Sequence, residues 1–175
     1  MLDSLITSRT RIKLLLKFFL NSSTTSYLRN LETEFGESTN AIRVELNRLE
    51  EAGLLVSGSD RNRRVYRANL RHPLFPDITS LIRKYVGIDQ LIEQILSNLG
   101  DVEQVYLTGK LARGIDSKDI HMLIVGHDID QDYLDKLILK AKKVVTRDIY
   151  YTITPAHNAP SILAESPDAL LIFEK

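Results

Sequence analysis

Apolar residues near the N-terminus recur every three or four positions, which is the spacing of one face of a helix. The first stripe consists of Ile12, Leu15, Leu16 and Phe19. Ser8 precedes it, and serine commonly caps helices, so the pattern predicts a helix over 8–20. The basic residues of this segment fall on the remaining arc of the helix: Arg11, Lys13 and Lys17.

A second stripe predicts another helix directly after a loop at 21–24. Its apolar positions are Tyr27, Leu28, Leu31 and Phe35. Gly36 is suited to end this helix, because glycine takes the left-handed conformation at little cost.

The third stripe has a polar face opposite its apolar one. The helix is predicted to begin after a cap at Ser38 or Thr39 and to end before Gly53. At about 100° per residue, three apolar residues share a narrow arc. They are Ile42, Leu46 and Leu49. Three polar residues lie together on the far side, namely Asn40, Arg43 and Asn47.

This polar face has the residue types that read bases in the major groove of DNA. Arginine pairs with guanine and asparagine with adenine, each through two hydrogen bonds. The early residues of a recognition helix point into the groove, and Thr39, Asn40 and Arg43 come early. Together with Asn47 they are the candidate base-contacting residues. The alternative is an ordinary solvated helix face.

A basic hairpin is predicted after this helix. Residues 54–56 and 65–68 have strand character, and 57–64 between them is rich in Gly, Ser, Asp and Asn. Three arginines stand at or just after the tip: Arg61, Arg63 and Arg64. Such a hairpin is suited to lie along a phosphate backbone, where contacts add affinity without sequence information.

The order of helix, helix, Asn/Arg-faced helix and basic hairpin resembles a winged helix-turn-helix of the bacterial ArsR- and MarR-like type. The resemblance covers residues 8–70 and includes 46–55, where a Gly turn joins recognition helix and wing. It implies that this half binds double-stranded DNA. Some winged helices bind protein instead, and that alternative stays open.

Two further stripes predict a helical connector over 73–100. Pro73 and Pro76 flank its start, and Asp77 is the expected cap. The first stripe consists of Ile78, Leu81, Ile82, Tyr85 and Val86. A break is expected at Gly87. The second stripe consists of Leu91, Ile92, Ile95, Leu96 and Leu99. One interpretation is that the connector packs modules or subunits together. The other is that it belongs to the core of the second domain. The second interpretation is favoured for the second helix, and both stay open for the first.

The second half contains a strand, a glycine-containing turn and another strand, at 102–107, 108–114 and 118–126. This order resembles the minimal nucleotidyltransferases of the DNA-polymerase-beta superfamily. The resemblance implies a Gly-Ser turn that helps hold nucleotide phosphates, an Ala-Arg-Gly behind it, and an Asp-x-Asp on the second strand. The two aspartates share one face of that strand and bind Mg²⁺.

Two positions depart from that family's pattern. Lys110 replaces the serine of the turn, and His121 replaces the second aspartate, which leaves Asp119 alone. One carboxylate and one imidazole make a poor Mg²⁺ site, because this ion prefers oxygen ligands. Lys118 further opposes a cation there. Asp148, on a later strand at 148–153, is a weak replacement for the family's third carboxylate.

We therefore expect the fold without efficient nucleotidyl transfer, and without a metal or cofactor. The remnants of the catalytic set are Asp119 and Asp148. The remnants of the nucleotide-binding turn are Gly109, Lys110 and Arg113. The acidic run at 128–132 is predicted to be a loop and cap for a helix over 133–145.

Composition and charge exclude several classes of protein and of functional site. Of the 175 residues, 26% are charged and 43% hydrophobic, which is a globular composition. The absence of cysteine excludes disulfides, thiolate zinc sites and cysteine nucleophiles. Neither a signal peptide nor a membrane-spanning run is predicted, so we expect a cytoplasmic protein that does not engage membranes. Residues 1–72 hold 12 Lys and Arg against 8 Asp and Glu, whereas 73–175 hold 11 against 15. The basic half favours a polyanionic partner.

These patterns together predict an α+β protein with a winged helix-turn-helix at 1–72, a connector at 73–100 and a nucleotidyltransferase-like domain with a mixed sheet at 101–175. The leading hypothesis is a homodimeric prokaryotic DNA-binding transcriptional regulator. Its second domain then serves dimerisation, sensing of a nucleotide, or docking of a protein effector. The alternatives are an active nucleotidyltransferase that modifies a protein or small molecule, and a protein-binding scaffold.

Overall fold

The computed structural model describes residues 2–96, 100–142, 145 and 147–175. The chain divides into two compact units, Met1–Tyr85 and Val86–Lys175. Each unit combines helices with one sheet, so the predicted α+β class is confirmed. The finer division into 1–72, 73–100 and 101–175 stays a prediction.

The first unit contains helices and a three-stranded antiparallel sheet. Its helices are α1 (Leu2–Leu5), α2 (Arg9–Leu15, continuing as a π-helical turn over Leu16–Leu20), α3 (Leu28–Phe35), α4 (Thr39–Glu51) and α5 (Phe75–Val86). Its strands are β1 (Thr25–Tyr27), β2 (Leu55–Asp60) and β3 (Arg63–Ala68), in the order β1-β3-β2.

The predicted ends of the first three long helices are confirmed by their caps. The Ser8 hydroxyl accepts a hydrogen bond from the Arg11 N–H at 3.2 Å and begins α2. The Ser38 hydroxyl does the same for the Ala41 N–H at 3.2 Å and begins α4. Gly36 ends α3 with a φ of +63°, a conformation that glycine adopts without a Cβ penalty.

The hairpin turn is shorter than the predicted 57–64. The ladder between β2 and β3 runs from Leu55 opposite Ala68 to Asp60 opposite Arg63, so only Arg61 and Asn62 form the turn. Both have positive φ, +46° and +66°, as two-residue turns that match the twist of the strands require. The small polar residues that suggested a long turn lie instead within β2.

Two further expectations for this unit are wrong. Tyr27 is not part of the second helix but the last residue of β1, where pairing with β3 outweighs the local helical pattern. Lys17 does not lie on a solvated arc, because the π-helical turn is buried on all sides. The lysine is only 7% exposed, and its ammonium pairs with Glu34 at 2.8 Å. A buried lysine needs such a partner.

The core of the first unit forms around the α2 segment. Phe18 and Phe19 are completely buried, as are Ile42 and Leu46 of α4. The ring of Phe19 packs against that of Phe75, with centroids 5.6 Å apart. Helix α4 is thus anchored along its apolar side, which fixes the direction of its polar side.

The connector contains two helices separated at Gly87, as predicted. Helix α5 begins at Phe75, so Asp77 lies in its first turn and not at the cap. Gly87 has a φ of +90° and ends α5. Helix α6 (Ile88–Leu96) follows, and its residues Leu91 and Ile92 are buried in the second unit. The predicted continuation of this stripe through 97–99 lies outside the described residues.

The second unit contains a four-stranded mixed sheet, which confirms that part of the predicted fold class. Its strands are β4 (Asp101–Thr108), β5 (Asp119–His127), β6 (Asp148–Thr154) and β7 (Leu170–Glu174), in the order β6-β5-β4-β7. Strand β6 is parallel to β5, and the other pairings are antiparallel. The remaining helices are α7 (Gly109–Ala112), α8 (Gln131–Ala141) and α9 (Ala159–Glu165).

Helix α8 connects the two parallel strands. The Asp130 carboxylate accepts a hydrogen bond from the Tyr133 N–H at 2.9 Å and caps the helix, as the acidic run predicted. The helix begins two residues earlier than expected, at Gln131. The predicted end of the helix at 143–144 lies outside the described residues. Helix α8 packs against α6, and its residues Leu134, Leu137, Ile138 and Ala141 are buried.

Candidate nucleic-acid interface

Helix α4 presents one apolar and one polar face, as its sequence predicted. Ile42 and Leu46 are fully buried, and Leu49 is buried as well. Asn40, Arg43 and Asn47 are exposed, and Thr39 is half-buried at the start of the helix. The polar face is therefore open to a partner, while the buried face holds the helix in place.

A buried carboxylate in the same helix was not anticipated. The Glu45 carboxylate forms ion pairs with Arg11, whose Nε lies 2.8 Å away, and with Arg48, whose Nη1 lies 3.1 Å away. Burial is the largest single influence and raises the pKa of Glu45, but the hydrogen bonds from Arg11 and Ser8, together with the positive charges of Arg11 and Arg48, outweigh it and hold the pKa below its usual value. The sequence offers no local signal for this contact, because Arg11 and Glu45 lie 34 residues apart.

A basic groove of about 610 Å³ lies beside the polar face of α4. Four arginines line it, one from α3, one from α4 and two from β3: Arg29, Arg43, Arg63 and Arg64. Asn30, Asn47 and two tyrosines complete much of the lining. Among the described residues that line the groove, none is acidic. Arg29 and Asn30 were missed by the sequence analysis, which assigned no role to the start of α3.

The arginines at the hairpin tip differ in their surroundings. Arg61 occupies the turn itself and is exposed. The Arg63 guanidinium lies over the ring of Tyr27, 4.6 Å from its centroid. The Tyr27 hydroxyl donates a hydrogen bond to Asp60, and this bond raises the pKa of Tyr27 above its usual value. The stacked ring supports Arg63 while leaving its N–H groups accessible.

Arg64 is held between α4 and the hairpin of β2 and β3. Its guanidinium forms an ion pair with Glu50 near the end of α4, and its Nε donates to the Ser57 hydroxyl at 3.0 Å. Ser57 in turn donates to Glu50 at 2.6 Å. The hydrogen bond from Ser57 and then the one from Arg64 lower the pKa of Glu50. We call these three side chains the Glu50 clasp. It joins the recognition-helix candidate directly to β2 and β3.

The two aspartates that the sequence singled out lie on neighbouring strands of the second unit. Asp119 and Asp148 are register partners in the parallel β5–β6 pair. Two residues further along both strands, the ring of His121 stacks on that of Tyr150 with centroids 5.0 Å apart and planes 16° apart. Gly109 has a φ of +71°, and a Cβ there would lie 3.5 Å from the His121 ring. The two carboxylates and the glycine turn are thus close in the fold.

A lysine lies beside one of the two aspartates. Lys142 pairs with Asp148 at 3.3 Å, and Lys110 and Arg113 of the turn are exposed. Within the described residues, no three His, Asp or Glu side chains form a group that suits a metal ion. The site therefore offers two carboxylates, those of Asp119 and Asp148, and Asp148 already forms an ion pair with Lys142.

Comparisons with known proteins give only distant structural similarity. No family model and no curated protein matches the chain. A proposed nucleotidyltransferase from Sulfolobus solfataricus is 20% identical over 56% of this chain and 86% of its own, with a TM-score of 0.39. A toxin–antitoxin structure with AMP-PNP is 16% identical over 51% and 74%, with a TM-score of 0.41. The AntR antimony-specific transcriptional repressor is 19% identical over 51% and 72%, with a TM-score of 0.36. These values are too low to assign the chain to a family.

None of the helices in the described part of the chain has the length and apolar character needed to cross a bilayer.

Proposed function

We propose that the protein is a sequence-specific DNA-binding transcriptional regulator in which the first unit is a winged helix. The observation that carries the proposal is the polar face of α4 with the basic groove beside it. Arg43 and Asn47 are exposed on the polar face of α4 and also line the basic groove. The hairpin arginine Arg63 borders the same groove. A helix with exposed Arg and Asn next to a basic hairpin suits a major groove and its adjacent phosphates.

The proposed roles follow from the surroundings of each side chain. Asn40, Arg43 and Asn47 contact base edges, with Thr39 beside them at the start of the helix. Arg61 and Arg63 contact phosphates, because both are exposed at the wing tip. Arg64 acts as a positioning residue, since the Glu50 clasp already engages its guanidinium.

The net charges of the two units support the assignment of DNA binding to the first unit. Met1–Tyr85 has 14 Lys and Arg against 9 Asp and Glu, whereas Val86–Lys175 has 9 against 14. The first unit therefore attracts a polyanion and the second repels one. We propose that the second unit serves dimerisation, sensing or partner docking. A homodimer would read two half-sites spaced one helical turn, roughly 34–36 Å, apart.

Fluorescence anisotropy tests the proposal with DNA from upstream of the protein's own coding sequence and with a scrambled duplex. We expect tighter binding to the upstream duplex, with two chains bound per duplex. Arg43→Ala should cost about 1–3 kcal/mol on the upstream duplex and much less on the scrambled one.

Arg43→Lys is the matched control, because it keeps the charge but loses the two-bond geometry that recognises guanine. It should lose preference for the upstream duplex while retaining affinity for scrambled DNA. Equal losses on both duplexes would contradict base reading by α4. Absence of salt-dependent binding to any duplex would favour the protein-binding alternative.

A further inference from the structure

The wing sheet has a second basic face, on the side that does not meet α4. Side chains of a strand alternate between its two faces. On β3, Arg64 contacts Glu50 of α4, and the next residue on that face, Tyr66, is buried. Arg63 and Arg67 therefore lie on the opposite face, and the side chain of Arg63, at the tip, also reaches the basic groove beside α4.

A groove of about 590 Å³ lies at the base of this opposite face, and we call it the outer wing groove. Arg67 and Arg71 supply its positive charge, and Ser22 and Thr25 supply hydroxyl groups. All four side chains are exposed. None of the described residues that line it is acidic. The groove thus combines cations and hydroxyl donors without a counter-charge.

The two arginines of this groove differ from others in the same unit. Arg11 and Arg64 are each bound to a carboxylate, Glu45 and Glu50. Among the described residues, no carboxylate lies within 4.0 Å of the Arg67 or Arg71 guanidinium. Side chains whose charge is not used within the fold remain available to an anionic partner.

We propose that the outer wing groove binds the phosphodiester backbone of duplex DNA flanking the bases that α4 reads. This inference rests on the proposed function and extends its footprint beyond the recognition helix and the wing tip. Arginine side chains and serine or threonine hydroxyls are among the usual partners of phosphate oxygens. They position the duplex and carry no sequence information.

The layout of the cations favours a linear polyanion over a small one. Strand residues rise about 3.3 Å each, so Arg63 and Arg67 lie roughly 13 Å apart along β3. That distance corresponds to the axial rise of about four phosphates on one DNA strand. Arg71 continues the basic surface past the end of β3, into the outer wing groove. A row of separated cations matches the repeat of a backbone, whereas a single small anion needs convergent donors.

The test compares the full-length protein with its Arg67→Ala/Arg71→Ala variant on random-sequence duplexes of one helical turn and of several turns. The slope of log binding constant against log salt measures the phosphates neutralised. On the long duplex the variant's slope should be smaller by about 1.8, at 0.9 for each lost contact. On the one-turn duplex, which is too short to extend along both α4 and the outer wing groove, the reduction should be smaller.

Two variants control for charge and folding. Lys136→Ala/Lys140→Ala removes the same charge from exposed positions of α8 in the second unit, and should leave the slope unchanged. Arg67→Lys/Arg71→Lys keeps the charges and should restore most of the slope, because lysine also neutralises phosphate. An unchanged slope for Arg67→Ala/Arg71→Ala on the long duplex overturns the proposal, as does an equal reduction in the α8 variant.

The outcome separates this inference from the proposed function. If Arg43→Ala still abolishes preference for the upstream duplex while Arg67→Ala/Arg71→Ala leaves the salt slope intact, the regulator stands and the outer wing groove does not bind DNA. If the full-length protein binds no duplex at all, the proposed function fails and this inference fails with it.

Discussion

Two glycines that lie within strands, Gly126 and Gly58, differ in how much room a Cβ atom would have. A Cβ added at Gly126 would lie 2.2 Å from the backbone oxygen of Asp101, which is a position no side chain tolerates. A Cβ at Gly58 would meet only the Val65 side chain, at 3.9 Å. Gly126 thus permits β5 to approach the start of β4, where the register shifts between Val102 and Gln104.

Gly126→Ala should therefore lower the free energy of unfolding by about 1–3 kcal/mol, because the neighbouring backbone must move. Gly58→Ala is the matched control and should be neutral or stabilising by about 0.5–1 kcal/mol, since glycine weakens a strand. Urea unfolding followed by circular dichroism measures both. Similar effects of the two substitutions would contradict the argument from backbone proximity.

Sequence reasoning worked at the residue scale where periodicity decides the outcome. The buried positions Ile42 and Leu46 and the exposed positions Arg43 and Asn47 follow directly from the helical repeat. It failed for Lys17, whose partner is a carboxylate on another helix. Contacts between side chains distant in sequence depend on how the helices pack, which a local repeat does not encode.

Ion pairs connect α2 to the segment that carries α4. Arg11 binds Glu45 within α4, and Lys13 binds Glu37, just before that helix, at 2.6 Å. Burial raises the pKa of Glu37, but hydrogen bonds from Lys13 and Thr10 outweigh it and lower the pKa below 4.5. The pKa values of Glu45 and Glu50 are lowered as well. The packing of these elements therefore depends on ionised carboxylates.

Acid should weaken this packing in a defined direction. A carboxyl group whose pKa is lower in the folded state stabilises the fold above its unfolded pKa, and this stabilisation is lost as pH falls through the folded value. Stability of the first unit should thus fall as pH decreases from about 5. Glu45→Gln should be less stable at pH 7 and lose less on acidification. The measurement is urea unfolding at several pH values.

Exposed Glu51 on the same helix provides the control for that experiment. Glu51→Gln should keep the wild-type dependence on pH, because none of the ion pairs described in the structure involves it. A Glu45→Gln profile parallel to the wild type would rule out a contribution from the Arg11–Glu45 pair.

At the scale of elements, the sequence predicted the long helices and the hairpin but not their details. The caps Ser8, Ser38 and Gly36 mark helix ends through local chemistry, so they were readable. Strand β1 was not, because three residues acquire strand structure only by pairing with β3. The hairpin turn was overestimated because Gly58 is a turn-forming residue type within a strand.

The molecule consists of a basic first unit, Met1–Tyr85, and an acidic second unit, Val86–Lys175. The resemblance to nucleotidyltransferases led us to expect Asp119 and Asp148 as remnants, and the two are register partners on adjacent strands. The sequence alone did not indicate the His121–Tyr150 stack, since the pairing of β5 with β6 determines it.

We expect the full-length protein to transfer no nucleotide. Asp148 is paired with Lys142, and His121 stands where the nucleotidyltransferase pattern that the sequence resembles has a second aspartate, so we expect charge stabilisation by Mg²⁺ to be weak. Incubation with labelled ATP, GTP or CTP and Mg²⁺ or Mn²⁺ should leave protein and small-molecule acceptors unlabelled. Label transfer that Asp119→Ala abolishes would establish the enzymatic alternative instead.

The Glu50 clasp has a consequence for how such a protein distinguishes one duplex from another. Because Glu50, Ser57 and Arg64 tie the end of α4 to both wing strands, the separation between helix and wing is fixed before binding. A protein that contacts DNA through both elements then accepts only duplexes whose groove width and bend match this separation. Base pairs that no side chain touches would influence affinity through the energy needed to deform them.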